Sequence, residues 1–140
     1  MSLGIELFNL SGKRALITGS SQGIGYALAR GLSQAGANII LNGRNAKKLE
    51  QSAKNLNVKG ELHQLSFDVT DHAATKYAID KYENEIGAID ILVNNAGMQH
   101  RTPLEDFPAE MFEQLLRTNV SSVFNENGVM VLMLSFLAKF

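Results

Sequence analysis

Apolar residues fall along this chain in short runs that alternate with stretches of helical spacing. Residues 14–17 are a compact apolar run and read as a buried strand, and residues 26–35 place apolar side chains at helical spacing before Gly36. The alternation then repeats. Residues 38–41 predict a second strand and 46–56 a helix with a polar outer face. Residues 61–67 alternate enough for a third strand, and 71–86 predict a longer helix ended by Gly87. Residues 89–93 predict a fourth strand, and a last helix runs from 108 to about 124. Strand and helix in strict alternation imply a parallel sheet with helices on both faces, joined by right-handed crossovers. The expected fold is therefore α/β and doubly wound. No repeat, low-complexity tract or linker interrupts the pattern before Asn125.

Between the first strand and its helix lies Thr18-Gly19-Ser20-Ser21-Gln22-Gly23-Ile24-Gly25. Strand, glycine turn and helix together make a phosphate cradle. Gly19 permits the tight turn, Gly23 lets the backbone approach a pyrophosphate, and Gly25 lets the helix pack closely on the strand. The positive end of the helix, with its free N–H groups, then faces the phosphates. A Gly19→Val change is expected to harm cofactor binding more than the fold. The alternative is a glycine turn that serves packing alone. The second strand runs out through Asn42 and Gly43 into Arg44, where an NAD-preferring protein usually carries an acid for the ribose hydroxyls. A guanidinium there suits a 2′-phosphate, with no carboxylate to repel it, so NADP is expected in preference to NAD. The alternative for Arg44 is a solvated surface residue.

The loop from Thr18 to Gly25 resembles the cofactor loop of the short-chain dehydrogenase/reductases, and Asn94-Asn95-Ala96-Gly97 resembles that family's second signature. Each follows a predicted strand, in the family's order, and the resemblance covers about residues 8–124. Asn42-Gly43-Arg44 and the leading Phe8-Asn9-Leu10-Ser11-Gly12-Lys13 look most like gluconate 5-dehydrogenase-type members. The resemblance implies an NAD(P)-binding Rossmann fold, with the strand order 3-2-1-4 of the dinucleotide-binding sheet, in which Gly19, Ser21, Gln22, Gly23, Ile24 and Gly25 hold the cofactor. It implies that Asp68 and Val69 contact adenine, with a turn or helix cap as the other reading of Asp68. It also implies that Asn95, Ala96 and Gly97 line the ribose and brace the sheet. Thr118-Asn119-Val120 matches the setting of the family's catalytic asparagine, which supports a proton relay, so Asn119 is the catalytic carry-over.

The family's serine, tyrosine and lysine have no counterparts here. The Tyr-x-x-x-Lys that exists, Tyr77 to Lys81, precedes Asn94 and reads as a helix-surface pair. After Phe124 the sequence departs from the family. Residues 1–124 are thus expected to form a dinucleotide-binding domain truncated after its fourth βα unit, and residues 125–140 a tail. The apolar run 129–137 in that tail is too short to span a bilayer, and Ser135 has no tyrosine and lysine behind it.

Composition changes this picture little. A formal net charge of −1 gives no electrostatic case for nucleic acid or an acidic membrane. The absence of cysteine excludes disulfides and thiolate metal sites, and His63, His72 and His100 lack partners at ligand spacing, so no metal is expected. His100 and Arg101 read as exposed loop residues within reach of a substrate. The start lacks a basic region and a long apolar run, so a cytoplasmic protein is expected. An unpaired sheet edge favours a homo-oligomer. The expected function is an NADP-dependent oxidoreductase of a sugar acid or other small alcohol or carbonyl, lacking the active-site Ser, Tyr and Lys. The competing expectation is a non-catalytic nucleotide-binding module or a defective fragment.

Overall fold

The computed structural model describes residues 3–125. A short helix α1 (Leu3–Glu6) leads into β1 (Arg14–Ile17), α2 (Gly23–Gln34), β2 (Asn38–Gly43) and α3 (Ala46–Asn55). Then follow β3 (Leu62–Ser66), α4 (His72–Glu85), β4 (Ile91–Val93), a 3₁₀ turn (Leu104–Asp106) and α5 (Ala109–Leu116). The four strands are parallel, in the order β3-β2-β1-β4, so the chain has the doubly wound α/β fold.

Strand periodicity divides the core. Ala15, Ile17, Ile39 and Leu41 face one side and pack on Ala29 of α2 and on Leu49 and Ala53 of α3. Leu16 and Ile40 face the other side and meet Ile79 and Tyr82 of α4 with Phe67, Val69 and Ile89. Burying a side chain of the Leu or Ile class contributes about 1.5–3 kcal/mol, and here such residues sit on both faces of β1 and β2.

Element ends differ from the apolar pattern in instructive ways. β2 runs two residues past Leu41, because Asn42 and Gly43 pair with Leu65 and Ser66 although neither is apolar. α2 starts at Gly23, inside the glycine loop, so the loop and the first helical turn are one unit. β4 is confined to residues 91–93; ahead of it, the Asp90 carboxylate accepts the Arg14 N–H at 2.8 Å. The last helix is interrupted. After α5 it becomes a π-helical turn at Arg117–Ser121 and then runs on to Asn125. Such turns are rare and often mark functional positions. The expected tail, Asn125 apart, lies outside the described residues, as does the apolar run 129–137.

Candidate functional site: a cleft at the carboxyl end of the sheet

The carboxyl ends of β1, β2 and β4 open onto a cleft of about 490 Å³, within the usual size of a small-ligand site. Four buried or half-buried polar side chains shape it. Thr18, at the end of β1, is fully buried, and its Oγ1 accepts the N–H groups of Asn95 at 3.1 Å and Ala96 at 3.0 Å. Asn95 answers by donating its Nδ2 to the carbonyls of Thr18 at 3.0 Å and Gly19 at 3.2 Å. The loop after β4 is thereby tied to the loop after β1.

Asn42 makes a second tie. Its Oδ1 accepts the Gly19 N–H at 3.1 Å, and its Nδ2 donates to the carbonyls of Leu65 at 3.0 Å and Phe67 at 3.2 Å. One buried amide thus joins β2, β3 and the glycine loop. Ser20 closes the network: its Oγ donates to the Ile17 carbonyl at 2.7 Å and accepts the Asn42 N–H at 2.9 Å. Neither Thr18, Ser20 nor Asn42 stands out by residue type. The available signal was position, a polar residue continuing an apolar strand into a glycine turn.

The glycines divide the work differently from the expectation. Gly19 has φ +61°, and a Cβ there would stand 2.9 Å from the Ala96 Cα. Gly19→Val therefore strikes the fold first, since it collides with backbone across the sheet; the expected separation of binding from folding does not hold at this position. Gly23 shares the positive φ, yet a Cβ would meet no protein atom within 4 Å and would enter the cleft instead. Open space is thus kept at Gly23. Gly25 is buried, and a Cβ there would press on the Asn95 amide and approach the Gly19 carbonyl to 2.6 Å. It admits the loop and Asn95 rather than the strand. The N-cap Gln22 makes no side-chain capping bond, which leaves the first-turn N–H groups of α2 to face a ligand.

Of the other positions expected to hold a cofactor, Ser21, Arg44, Asp68, Val69, Asn95, Ala96 and Gly97 all line this cleft. Ile24 is exposed beside it, outside the lining. Arg44 does meet a carboxylate, contrary to expectation: Asp68, from the loop after β3, lies 3.7 Å away. Burial raises the Asp68 pKa, but the Thr70 N–H and hydroxyl and the Arg44 charge together hold it below the ordinary carboxylate value. Asp68 therefore stays ionised and competes for Arg44. A second cation, Lys48, lines the same wall, and the sequence reading passed over it.

Asn119 lies in the π-helical turn and not in the cleft lining, where its neighbour Thr118 stands. Both ends of its amide engage Met98: Oδ1 accepts the Met98 N–H and Nδ2 donates to the Met98 carbonyl, each at 2.9 Å. It holds the loop that continues from Asn94–Gly97. His100 packs edge-on against Phe107, and Tyr77 and Lys81 line a separate groove along β3 and α4. Among the described residues no three His, Cys, Asp or Glu side chains converge as a metal site. No helix among them is long and apolar enough to cross a membrane.

The short chain dehydrogenase family profile matches residues 13–135, most of the chain. The chain belongs to the short-chain dehydrogenases. Among relatives of this short-chain dehydrogenase, the gluconate 5-dehydrogenase of Gluconobacter oxydans is 47% identical over 120 residues, covering 85% of this chain and 47% of that one. The 5-keto-D-gluconate 5-reductase of Escherichia coli is 42% identical over 120 residues, with the same coverage of both. Among solved structures, a gluconate 5-dehydrogenase from Burkholderia cenocepacia, in complex with NADP and tartrate, is similar at TM-score 0.85 and 46% identity. That match covers 91% of this chain and 50% of the other. The chain spans about half the length of the curated relatives it matches.

Proposed function

We propose that this chain binds NADP(H) in the cleft, as part of an oxidoreductase of a sugar acid or another small alcohol or carbonyl. The observation that carries the reading is Arg44, placed just past β2 at the cleft wall with no acid following the strand. The cleft fits the cofactor: Gly23 leaves phosphate space, and the uncapped start of α2 supplies donors. Gly19, Ser21, Gln22, Gly23, Ile24 and Gly25 would hold the pyrophosphate side, and Arg44 a 2′-phosphate. Asp68 and Val69 would meet adenine, and Asn95, Ala96 and Gly97 the ribose. The cofactor supplies the hydride chemistry. Asn119 would support a proton relay by keeping the Met98 loop in place. Residues 1–124 would form the dinucleotide-binding domain and 125–140 a tail. The sugar-acid class rests on likeness to the gluconate enzymes.

A polypeptide of these 140 residues is expected to bind NADPH without turning over sugar acids or simple ketones. Within these 140 residues no tyrosine follows Asn119, and a positioned acid or base is typically worth about 10²–10⁴-fold. An amide does not titrate near neutral pH, so Asn119 cannot take that place. The assay pairs NADPH consumption with a Tyr77→Phe control. Turnover that the control abolishes would put the chemistry on α4 and contradict this reading.

A second copy is the proposed partner. Among the described residues β4 pairs on one side only, and Phe112, Leu116, Val120 and Phe124 form an exposed apolar stripe at i, i+4, i+8 and i+12. Light scattering is expected to show dimers or larger species; a monomer at high concentration would count against the homo-oligomer.

A further inference from the structure

The charges on the cleft wall do not balance around Arg44 alone. Arg44 leans on Asp68 at 3.7 Å, which takes part of its charge. Lys48 lines the same cleft and pairs with no carboxylate among the described residues; its Nζ donates to the neutral Gln22 Oε1. Lys48 shares the first turn of α3 with Lys47, and of the two only Lys48 lines the cleft. Asn45 caps α3 by accepting the Lys48 N–H at 3.0 Å, so Lys48 sits in the first turn, at the positive end of the helix. A cation there opposes the helix dipole, and that first turn holds no acid to offset it. Elsewhere on α3 the usual arrangement holds, since Lys54 pairs with Glu50 at 2.7 Å in the last turns. Two cations and one carboxylate line this cleft, which leaves one positive charge without an anion among the lining residues. Local rules broken together in one place mark a functional position.

We infer that Lys48 is the second cation of a phosphate-monoester site shared with Arg44, and that Gln22 is its positioning residue, holding the ammonium over the cleft. The inference rests on the NADP(H) reading and deepens it. Gln22 bridges two ligand ends: its backbone belongs to the pyrophosphate turn, and its side chain reaches the cation for the 2′-phosphate. Choice of cofactor is therefore set by three side chains, two on loops and Lys48 in the first turn of α3, and Asp68 tempers it.

The test uses 2′,5′-ADP and 5′-AMP as probes, which differ only in the 2′-phosphate, and reads calorimetric binding to the full chain. Lys48→Met, which keeps the stem, is expected to weaken 2′,5′-ADP about tenfold and leave 5′-AMP unchanged, as for loss of one charge-assisted contact. Lys48→Arg should restore most of the affinity. Gln22→Ala should lower the ratio between the two probes in the same direction, a change that a merely structural role would not produce. Melting curves check that each variant folds, and exposure of both side chains makes that the expected result. If Arg44→Ala loses the 2′-phosphate preference while Lys48→Met keeps it, the inference falls and the NADP(H) reading stands. If the parent chain binds both probes equally, both fall.

Discussion

Replacing Asn42 by leucine is expected to lower stability by about 2–4 kcal/mol, because at least two buried backbone groups lose their partner and each costs about 1–3 kcal/mol. Leucine keeps the branched shape but is the larger side chain, so overpacking at this buried site adds to the loss. What disappears is the acceptor for the Gly19 N–H and the donor to the Leu65 and Phe67 carbonyls. Asn42 is 1% exposed, so water cannot step in without opening the sheet end. The glycine loop hangs on that amide, and nucleotide affinity should fall with stability. Asn42→Asp is the sharper control. It keeps the acceptor for Gly19 but turns the donor into a buried anion facing two carbonyls, and should be at least as damaging. Urea unfolding monitored by circular dichroism measures both. A loss below about 0.5 kcal/mol for the leucine variant would show that the amide only fills space.

Replacing Arg44 by alanine is expected to weaken NADPH binding about 5- to 150-fold, which corresponds to about 1–3 kcal/mol for a charged contact. NADH should bind nearly as before. Arg44 is largely exposed and already shares its charge with Asp68, which argues for the lower part of that range. Asp68→Asn supplies the complementary result: with the competing carboxylate removed, NADPH should gain and NADH should not. If both cofactors weaken equally in the alanine variant, Arg44 shapes the loop and does not read the 2′-phosphate.

The fold was legible because β1 and β2 are buried on both faces, and such strands print themselves as continuous apolar runs. Alternation of elements pointed to a parallel sheet, and the order 3-2-1-4 came from the dinucleotide-binding resemblance, since doubly wound sheets also occur in another order. The glycine loop was legible through its spacing, though the separate duties of Gly19 and Gly23 were not. Those depend on what stands opposite, Ala96 for one and open space for the other, and a linear sequence does not show the far side of a turn. Asn42 was missed as a structural centre for the same reason, since its three contacts reach 23 or more residues away in each case. The Arg44–Asp68 pair joins the ends of two parallel strands, and register, not residue type, brings them together. The π-helical turn has no pattern of its own. Residues 108–124 read as one helix, and only the engagement of Asn119 with Met98 singles out the interruption. The family profile reaches residue 135, so the family match extends beyond Phe124, contrary to the expected departure at that residue.

The cleft at the ends of β1, β2 and β4 is proposed to take a nicotinamide dinucleotide and to read its 2′-phosphate. Titrating NADPH and NADH separately into the folded 140-residue chain, at one pH and one salt concentration, tests it most directly. Saturable one-site binding with NADPH the tighter ligand is the expected result; equal dissociation constants, or no binding of either, would contradict it.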